Sequence, residues 1–249
     1  MKAMVLAAGL GTRLRPLTED RPKALVEVCG RTMLEIALTR LRGFGIREVI
    51  VNTHHYAEMV EEWLRAHAPG DMRIEISREE MLLDTGGGLK KAAWFFREPG
   101  PDANEPFLLH NVDVLSTIDF AAMVQAHRNS GALATLAVQD RPTSRSLLFD
   151  KDGNLCGRRT GLDGAPEFAR SAADPQALAF AGIHMISPRI FSLLEEEGAF
   201  SIISAYLRLA AQGESIAAFR ADHFYWRDLG RPQQVEQAAR EITEVAYPW

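Results

Sequence analysis

A glycine-rich turn follows the first apolar segment of the chain, and cationic side chains follow the turn. The turn is Ala7-Ala8-Gly9-Leu10-Gly11-Thr12-Arg13, and Arg15, Arg21 and Lys23 come shortly after it. Glycines allow the backbone to approach a ligand closely, and successive backbone N–H groups bind phosphate oxygens. Prolines at positions 16 and 22 stiffen the segment. A rigid loop with fixed cations is suited to a triphosphate, whose charge must be neutralised before a nucleophile attacks; the alternative is a solvated surface loop.

Two common phosphate-binding motifs do not fit this turn. A dinucleotide-binding fingerprint requires a third glycine at position 14, which is Leu14, and an acidic residue at the end of the second strand, where the chain has Asn52-Thr53. A P-loop requires Gly-Lys-Ser/Thr after four spacer residues, and this is absent from the turn. Both motifs are therefore excluded.

Two aspartates each follow an apolar or aromatic segment. Asp113 follows the run 107–112, and Asp228 follows Phe224-Tyr225-Trp226. An aspartate at the carboxyl end of a central strand is placed to hold a cation beside phosphates, and Mg²⁺ typically uses one or two carboxylates plus substrate phosphates. The competing interpretation for such an aspartate is a cap on the next helix.

Alternating strands and helices must position these residues. Apolar patterning predicts strands at 3–6, 49–51, 73–77, 106–114 and 132–138, and helices at 33–41, 57–66, 89–96 and 120–127. It then predicts a hairpin from 147–149 and 155–159, a loop over 161–175, a strand at 179–186, and helices near 200–211 and 232–245. This order predicts a mostly parallel sheet covered on both faces, within one domain over 1–249.

Composition excludes several classes of protein. The chain has 28 Lys+Arg against 33 Asp+Glu, a net charge of -5, which does not favour nucleic acid as a partner. No apolar run approaches the 18 or so residues of a membrane span. The two cysteines are too few for a disulfide framework or a cysteine-based zinc site. The apolar segment after Lys2 is short and runs straight into Gly9, Gly11, Arg13 and Arg15, unlike a secretory signal, so we expect a cytoplasmic protein.

The motifs together resemble the signature of the sugar-1-phosphate nucleotidyltransferases. The most specific segment is Gly9-x-Gly11-Thr12-Arg13-x-Arg15-Pro16-Leu17-Thr18 with Pro22-Lys23. Further matching segments are Val28-x-Gly30, Met33-Leu34-Glu35, Asp84-Thr85-Gly86-Gly87, Asn111-Val112-Asp113, Phe180-Ala181-Gly182-Ile183 and 226–232. The resemblance implies an α/β, Rossmann-like three-layer fold with a mostly parallel mixed sheet, and a small β-hairpin and loop insertion over the sugar site.

The resemblance also implies a reaction. A sugar 1-phosphate oxygen attacks the α-phosphorus of an NTP in line and expels pyrophosphate; a phosphate monoester is already a competent nucleophile, so no general base is required. Asp113 and Asp228 are then the ligands of Mg²⁺. Arg13 is assigned to the leaving pyrophosphate, and Lys23 to the α-phosphate and the incoming phosphate.

Binding residues follow from the same resemblance. The nucleotide is expected on Ala7, Ala8, Gly9, Gly11 and Thr12 of the turn. The backbone of Thr85 and Gly86, where N–H groups before a helix are free, is expected to meet the base. The sugar phosphate is expected on four residues, of which the last three fall in a sugar-binding subregion spanning roughly 140–228: Asn111, Gly182, Glu167 and Trp226. Asn111 and Trp226 each stand two residues before an expected metal ligand, so their side chains should project on the same side of their strands as that aspartate.

The chain departs from the family pattern at several positions. Many members carry Glu-Lys-Pro after the hairpin, whereas the only nearby acid–proline pair here is Pro166-Glu167; Val112 and Thr32 stand where many members have Gly and Pro. Within the family the pattern most resembles N-acetylmuramate 1-phosphate uridylyltransferases, followed by mannose or heptose 1-phosphate guanylyltransferases. UTP or GTP is thus the favoured nucleotide, for a monomer or small homo-oligomer without a membrane partner.

Two other functions are compatible with parts of the pattern. Asn111-Val112-Asp113 is similar to a degenerate Asp-x-Asp motif of a nucleotide-sugar-dependent glycosyltransferase, but such a substrate lacks the extra phosphate that Arg13 and Lys23 would meet. A non-catalytic nucleotide-sugar sensor is the third alternative, and the presence of both aspartates and both cations disfavours it.

Overall fold

The computed structural model describes residues 1–100 and 104–244. Its strands are β1 (Lys2–Leu6), β2 (Glu27–Val28), β3 (Arg31–Thr32), β4 (Glu48–Thr53), β5 (Arg73–Arg78), β6 (Phe107–Asn111), β7 (Val114–Ser116), β8 (Ala134–Gln139), β9 (Arg145–Phe149), β10 (Leu155–Thr160), β11 (Pro166–Phe168), β12 (Gln176–Ile186), β13 (Ile216–Arg220) and β14 (Trp226–Asp228). Its helices are α1 (Met33–Gly43), α2 (Ala57–His67), α3 (Asp84–Lys91), α4 (Ala93–Phe96), α5 (Phe120–Ser130), α6 (Ile202–Ala211) and α7 (Pro232–Glu244). Within these described residues, no helix has the length and hydropathy that crossing a lipid bilayer requires.

One mixed sheet forms the centre of the fold. Its strand order is β11-β10-β9-β12-β6-β1-β4-β5, and β8 and β13 extend it from β12. Strands β6, β1, β4 and β5 are parallel. Strand β12 is antiparallel to β6, β8 and β9. The predicted Rossmann-like α/β fold with a mixed sheet is confirmed.

Both faces of the sheet are covered, which explains why β1 is apolar at every central position. Ala3 and Val5 face α1, α2, α5 and α7, whereas Met4 faces α3, α4 and α6. A strand that is buried on both faces has a continuous apolar sequence, because neither of its faces meets water. The carboxyl ends of the parallel strands are left uncovered, and this is where open α/β sheets bind ligands.

Several predicted elements differ from the observed ones. The predicted helix over 89–96 is two helices, and the first begins earlier, at Asp84. The predicted strand over 106–114 is interrupted after Asn111, and the predicted loop over 161–175 contains the short edge strand β11. The hairpin of β9 and β10 continues the main sheet through β12. The last residue of the predicted helix over 232–245 lies outside the described residues.

Candidate active site

A two-stranded antiparallel ribbon brings the two predicted metal ligands together. Strand β7 pairs with β14 so that Val114 lies opposite Asp228. The Leu229 N–H donates a hydrogen bond of 2.8 Å to the carbonyl oxygen of Asp113, which locks the ends of the two strands. Asp113 is 8% exposed. Two aspartates that are distant along the chain are therefore neighbours at one end of the sheet.

The cations of the N-terminal loop lie beside these aspartates. Lys23 Nζ forms an ion pair with Asp113 Oδ2, and the two side chains are 17% and 11% exposed. Arg13 and Asp228 both lie next to Gly230. A Cβ at Gly230 would lie 2.9 Å from Asp228 Oδ1 and 3.4 Å from Arg13 Nη2. The four residues that the sequence assigns to chemistry thus form one cluster.

The electrostatics of this cluster suit a divalent cation. Burial raises the pKa of Asp228, and the negative charge of Asp113 raises it further; the Gly230 N–H, Lys23 and Arg13 act in the opposite direction. Two close carboxylates repel each other, and a hard divalent cation relieves that repulsion. Within residues 1–100 and 104–244, no group of three or more His, Cys, Asp or Glu side chains could hold a metal ion. A pair of carboxylates nevertheless fits Mg²⁺, which completes its coordination with water and phosphate oxygens.

The two glycines of the turn have different structural roles. Gly11 has a φ of 66°, and a Cβ there would lie 3.0 Å from Thr18 Cγ2 and 3.2 Å from Lys23 Cβ. The Thr18 hydroxyl also donates a hydrogen bond of 2.8 Å to the Gly11 carbonyl. Gly11 therefore allows the loop to fold back onto Lys23. A Cβ at Gly9 would have no atom within 4 Å, so Gly9 borders open space.

A cavity of about 550 Å³ lies at the carboxyl ends of the parallel strands. Strand β1 leads into it through Ala8 and Gly9, and Asn52, Glu79 and Asn111 stand at or just beyond the ends of β4, β5 and β6. The predicted site residues that line it are Ala8, Gly9, Arg13, Lys23, Thr85, Asn111 and Asp113. The predicted site residues that do not line it are Ala7, Gly11, Thr12, Gly86, Gly182, Glu167, Trp226 and Asp228.

A second cavity, of about 640 Å³, lies between the 16–29 segment and α7. None of the predicted site residues lines it. The cavity at the strand ends, which holds Lys23 and Asp113, is therefore the candidate active site, although it is the smaller of the two.

The prediction that the backbone N–H groups of Thr85 and Gly86 are free is wrong. The Thr85 N–H donates to Asp84 Oδ1 at 2.6 Å, and the Gly86 N–H donates to the Phe200 carbonyl at 2.9 Å. Both residues lie inside α3, despite the three glycines at 86–88. The physical reason is packing: a Cβ at Gly86 would lie 2.3 Å from the Phe200 ring, so this position requires a glycine for contact within the protein.

The residues predicted to contact the sugar are largely engaged within the protein. Gly182 has a φ of 74°, and a Cβ there would lie 2.9 Å from Asn111 Nδ2. The close approach that this glycine permits in the structure is therefore to the Asn111 side chain. The Trp226 indole N–H donates to the Ala181 carbonyl at 2.7 Å. The Arg141 guanidinium carbon lies 3.7 Å from the Trp226 ring centroid. Gly182 and Trp226 thus make contacts within the protein at the positions where sugar contacts are predicted.

Glu167 lies away from the cavity. It is on the exposed edge strand β11, where its Oε2 accepts a hydrogen bond of 2.8 Å from Arg158 Nε. Both residues line a separate groove against Ser204 and Leu207, near α6. The prediction that Glu167 meets a sugar hydroxyl is not supported by this position, because β11 extends the sheet outwards instead of folding over the site.

Sequence reasoning missed several residues of the site. Asn52 Oδ1 accepts a hydrogen bond of 2.7 Å from the Ala7 N–H, and Asn52 Nδ2 donates one of 2.7 Å to Glu79 Oε1. The position of Asn52 at the end of a parallel strand was a signal that could have identified it. Arg145, at the start of β9, also lines the cavity, and no comparable signal marks it.

The family model named Nucleotidyl transferase matches residues 2–245, and the chain belongs to this family. The N-acetylmuramate alpha-1-phosphate uridylyltransferase of Caulobacter vibrioides is 34% identical, over 98% of this chain and 97% of that protein. A mannose-1-phosphate guanylyltransferase catalytic subunit beta of Drosophila pseudoobscura is 30% identical over 93% of this chain and 60% of that protein. A UTP–glucose-1-phosphate uridylyltransferase of Synechocystis is 28% identical over the whole chain and 66% of that protein. The resemblance to sugar-1-phosphate nucleotidyltransferases is confirmed.

Solved structures agree with the fold. HddC from Yersinia pseudotuberculosis superposes with a TM-score of 0.76 over 97% of this chain and 99% of that chain. The UDP-glucose pyrophosphorylase of Acinetobacter baumanii superposes with a TM-score of 0.79 over 99% of this chain and 95% of that chain. Each is 20% identical in sequence, so these similarities establish the fold alone.

Proposed function

We propose that this protein transfers a nucleotidyl group from an NTP to a sugar 1-phosphate and releases pyrophosphate, and that its catalytic domain spans 1–249. The observation that carries the proposal is the convergence of Lys23, Asp113 and Asp228, which come from three distant parts of the chain. A sensor would need to bind a nucleotide sugar, but it would not need a lysine and two aspartates arranged around one point.

The chain's own residues account for most of the chemistry. The open space beside Gly9 accommodates the triphosphate, and Arg13 offers a guanidinium for the pyrophosphate that leaves. Lys23 neutralises the α-phosphate and the incoming phosphate as they approach each other. Because the sugar phosphate is already ionised, these residues hold the reactants in line and stabilise charge, without removing a proton.

Asp113 and Asp228 would hold the Mg²⁺. When bound, the ion supplies positive charge that offsets the charge of the reacting phosphates. The Lys23 ammonium compensates the charge of Asp113, which explains how two close carboxylates are tolerated in the fold. With Asp113 engaged on the ion, the Lys23 ammonium would be available to the phosphates.

The relatives favour UTP and N-acetylmuramate 1-phosphate as substrates. The Caulobacter vibrioides uridylyltransferase aligns over nearly its whole length. This supports the proposal that the present protein uses the sugar phosphate for which that relative is named. GTP with mannose 1-phosphate is the second candidate, because a guanylyltransferase subunit is 30% identical over most of this chain.

A substrate matrix tests the proposal. Each of the four common NTPs is combined with N-acetylmuramate 1-phosphate, mannose 1-phosphate and glucose 1-phosphate, and pyrophosphate release is measured with and without Mg²⁺. We expect release that requires a sugar 1-phosphate and Mg²⁺, fastest with UTP and N-acetylmuramate 1-phosphate. Binding of a nucleotide sugar without turnover in any combination would support the sensor, and sugar transfer from a nucleotide sugar to an acceptor would support the glycosyltransferase.

A further inference from the structure

The guanidinium of Arg141 lies over the indole ring of Trp226. Arg141 follows β8 by two residues, and its Cζ is 3.7 Å from the Trp226 ring centroid. The indole itself is fixed by its hydrogen bond to the Ala181 carbonyl. A guanidinium held over an aromatic ring by a cation–π contact still has N–H groups that can bind an anion.

This guanidinium has few partners for a half-buried cation. Nη2 donates a hydrogen bond of 2.9 Å to the Phe180 carbonyl, whereas Nε is enclosed and has no hydrogen-bond partner among the described residues. Burial lowers the pKa of Arg141, and the charge of Asp228 opposes this effect without an ion pair between them. A desolvated cation that lacks a contacting counter-ion gains free energy when an anion binds.

The groups that hold Arg141 belong to the active-site end of the sheet. Trp226 is two residues before Asp228 on β14. Phe180 and Ala181 lead into Gly182, where a Cβ would lie 2.9 Å from Asn111 Nδ2, and Asn111 lines the cavity. Arg141 is therefore attached to the two strands that frame Asn111 and Asp228, whereas Arg13 and Lys23 come from the N-terminal loop.

We propose that Arg141 binds the phosphate group of the sugar 1-phosphate; this inference rests on the proposed function. The reaction brings two anionic reactants together, and the N-terminal loop supplies cations for the triphosphate. A second cation on a different element, whose charge interacts with that of Asp228, serves the other reactant. Trp226 then supports the arginine and does not stack on the sugar.

The test compares substrate dependence in two variants and a control. Arg141→Gln removes the charge, and Arg141→Lys keeps the charge without the planar N–H fork. Arg189→Gln, which changes an exposed arginine paired with Glu214, is the matched control. The measurement is the KM for each substrate, from pyrophosphate release with UTP and either N-acetylmuramate 1-phosphate or glucose 1-phosphate.

We expect Arg141→Gln to raise the KM for the sugar 1-phosphate at least about tenfold and to leave the KM for UTP within about twofold. Arg141→Lys should recover part of the loss, and Arg189→Gln should match the wild type. An unchanged KM for the sugar phosphate would overturn the inference. An increase confined to UTP, or an equal increase for both substrates together with a lower melting temperature, would overturn it as well.

Direct binding separates this inference from the proposed function. Calorimetric titration of the wild type and of Arg141→Gln with N-acetylmuramate 1-phosphate or glucose 1-phosphate, without metal or NTP, needs no turnover. A wild type that binds the sugar phosphate while Arg141→Gln binds it at least about tenfold more weakly supports Arg141 even if the substrate matrix fails. Equal binding by the two proteins overturns the role of Arg141 even if the matrix succeeds.

Discussion

The side-chain amide of Asn52 donates a hydrogen bond of 2.7 Å to Glu79, and both residues are almost fully buried, at 3% and 2% exposure. The other ends of this pair hold the backbone: Asn52 accepts from the Ala7 N–H at 2.7 Å, and Glu79 accepts from the Leu83 N–H at 2.9 Å. The pair therefore connects the glycine-rich turn to the start of α3. It fixes two walls of the cavity relative to each other.

Asn52→Asp tests this connection. The substitution keeps the shape but places a carboxylate against Glu79, so one of the two must take a proton or the pair must separate. We expect a loss of about 2 kcal/mol in the free energy of unfolding at pH 8. The loss should be smaller at pH 5, because the folded pair retains a proton that the unfolded carboxylates release. Urea unfolding at both pH values measures it, with the exposed Asn129→Asp as control. Equal stabilities of Asn52→Asp and wild type at pH 8 would contradict the role of the pair.

The two glycines of the turn should respond differently to alanine. Gly11→Ala forces a side chain into a left-handed conformation 3.0 Å from Thr18, and we expect it to lose about 1 to 2 kcal/mol of stability. Gly9→Ala has space for its methyl group and should unfold like the wild type. That methyl group would occupy the proposed phosphate site, so the KM for the NTP should rise at least about tenfold. A Gly9→Ala variant with an unchanged KM would show that the triphosphate lies elsewhere.

Removal of the proposed catalytic side chains should abolish most of the rate. Lys23→Ala, Asp113→Ala and Asp228→Ala should each lose at least about a hundredfold in turnover, because each removes a preorganised charge. The control is Asp222→Ala, which changes a surface aspartate paired with Arg220. Rates of pyrophosphate release at saturating substrates, with circular dichroism to verify folding, measure the effect. Near-wild-type turnover in any of the three would remove that residue from the mechanism.

Buried histidines should make the fold sensitive to acid. Burial lowers the pKa of His110 to about 4 and that of His184 to about 3, below the value near 6.5 of an unfolded histidine. As the pH falls below about 6.5, the unfolded chain takes up protons that the folded protein does not, so stability decreases. The free energy of unfolding keeps its full value above about pH 7. At pH 5, each of the two histidines lowers it by roughly 2 kcal/mol.

The variant His184→Gln tests this pH dependence through its slope. Between pH 6 and pH 5, each histidine contributes up to about 1.4 kcal/mol of unfolding free energy per pH unit. We expect urea unfolding of His184→Gln to show a slope lower by about that amount than the wild type, whatever its stability at pH 7.5. An identical slope in the two proteins would mean that His184 is protonated in the fold.

The parts of the fold that the sequence predicts are those with strong apolar patterns. Strands β1 and β4 are buried on both faces, so their apolar runs identify them directly. Strand β11 is three exposed residues that begin with a proline, and nothing in such a segment distinguishes it from a loop. Helix α3 was predicted to begin late, because its glycines have low helix propensity; their packing against neighbours such as Phe200 outweighs that preference.

In the candidate site as well, the sequence identifies individual residues, but it does not predict the contacts that the fold makes between them. Lys23, Asp113 and Asp228 could be named from their motifs, but their proximity depends on the pairing of β7 with β14, which has no signal in either short segment. The position of Arg141 over the Trp226 ring is likewise a tertiary contact. It could not be predicted from residue types, since a tryptophan near an active site is compatible with direct sugar contact as well as with support of another side chain.

Transfer of a labelled phosphate is the sharpest test of the proposed nucleotidyl transfer. UTP labelled at the α-phosphate and UTP labelled at the γ-phosphate are each incubated with the protein, Mg²⁺ and N-acetylmuramate 1-phosphate, and the products are separated. We predict that the α-label enters a nucleotide sugar and the γ-label leaves as pyrophosphate, and that both events cease when the sugar phosphate is omitted or Asp228 is replaced by alanine. An α-label that never enters a nucleotide sugar with any NTP and sugar 1-phosphate would rule out the proposed reaction. Transfer that persists at the wild-type rate in Asp228→Ala would rule out the proposed role of Asp228.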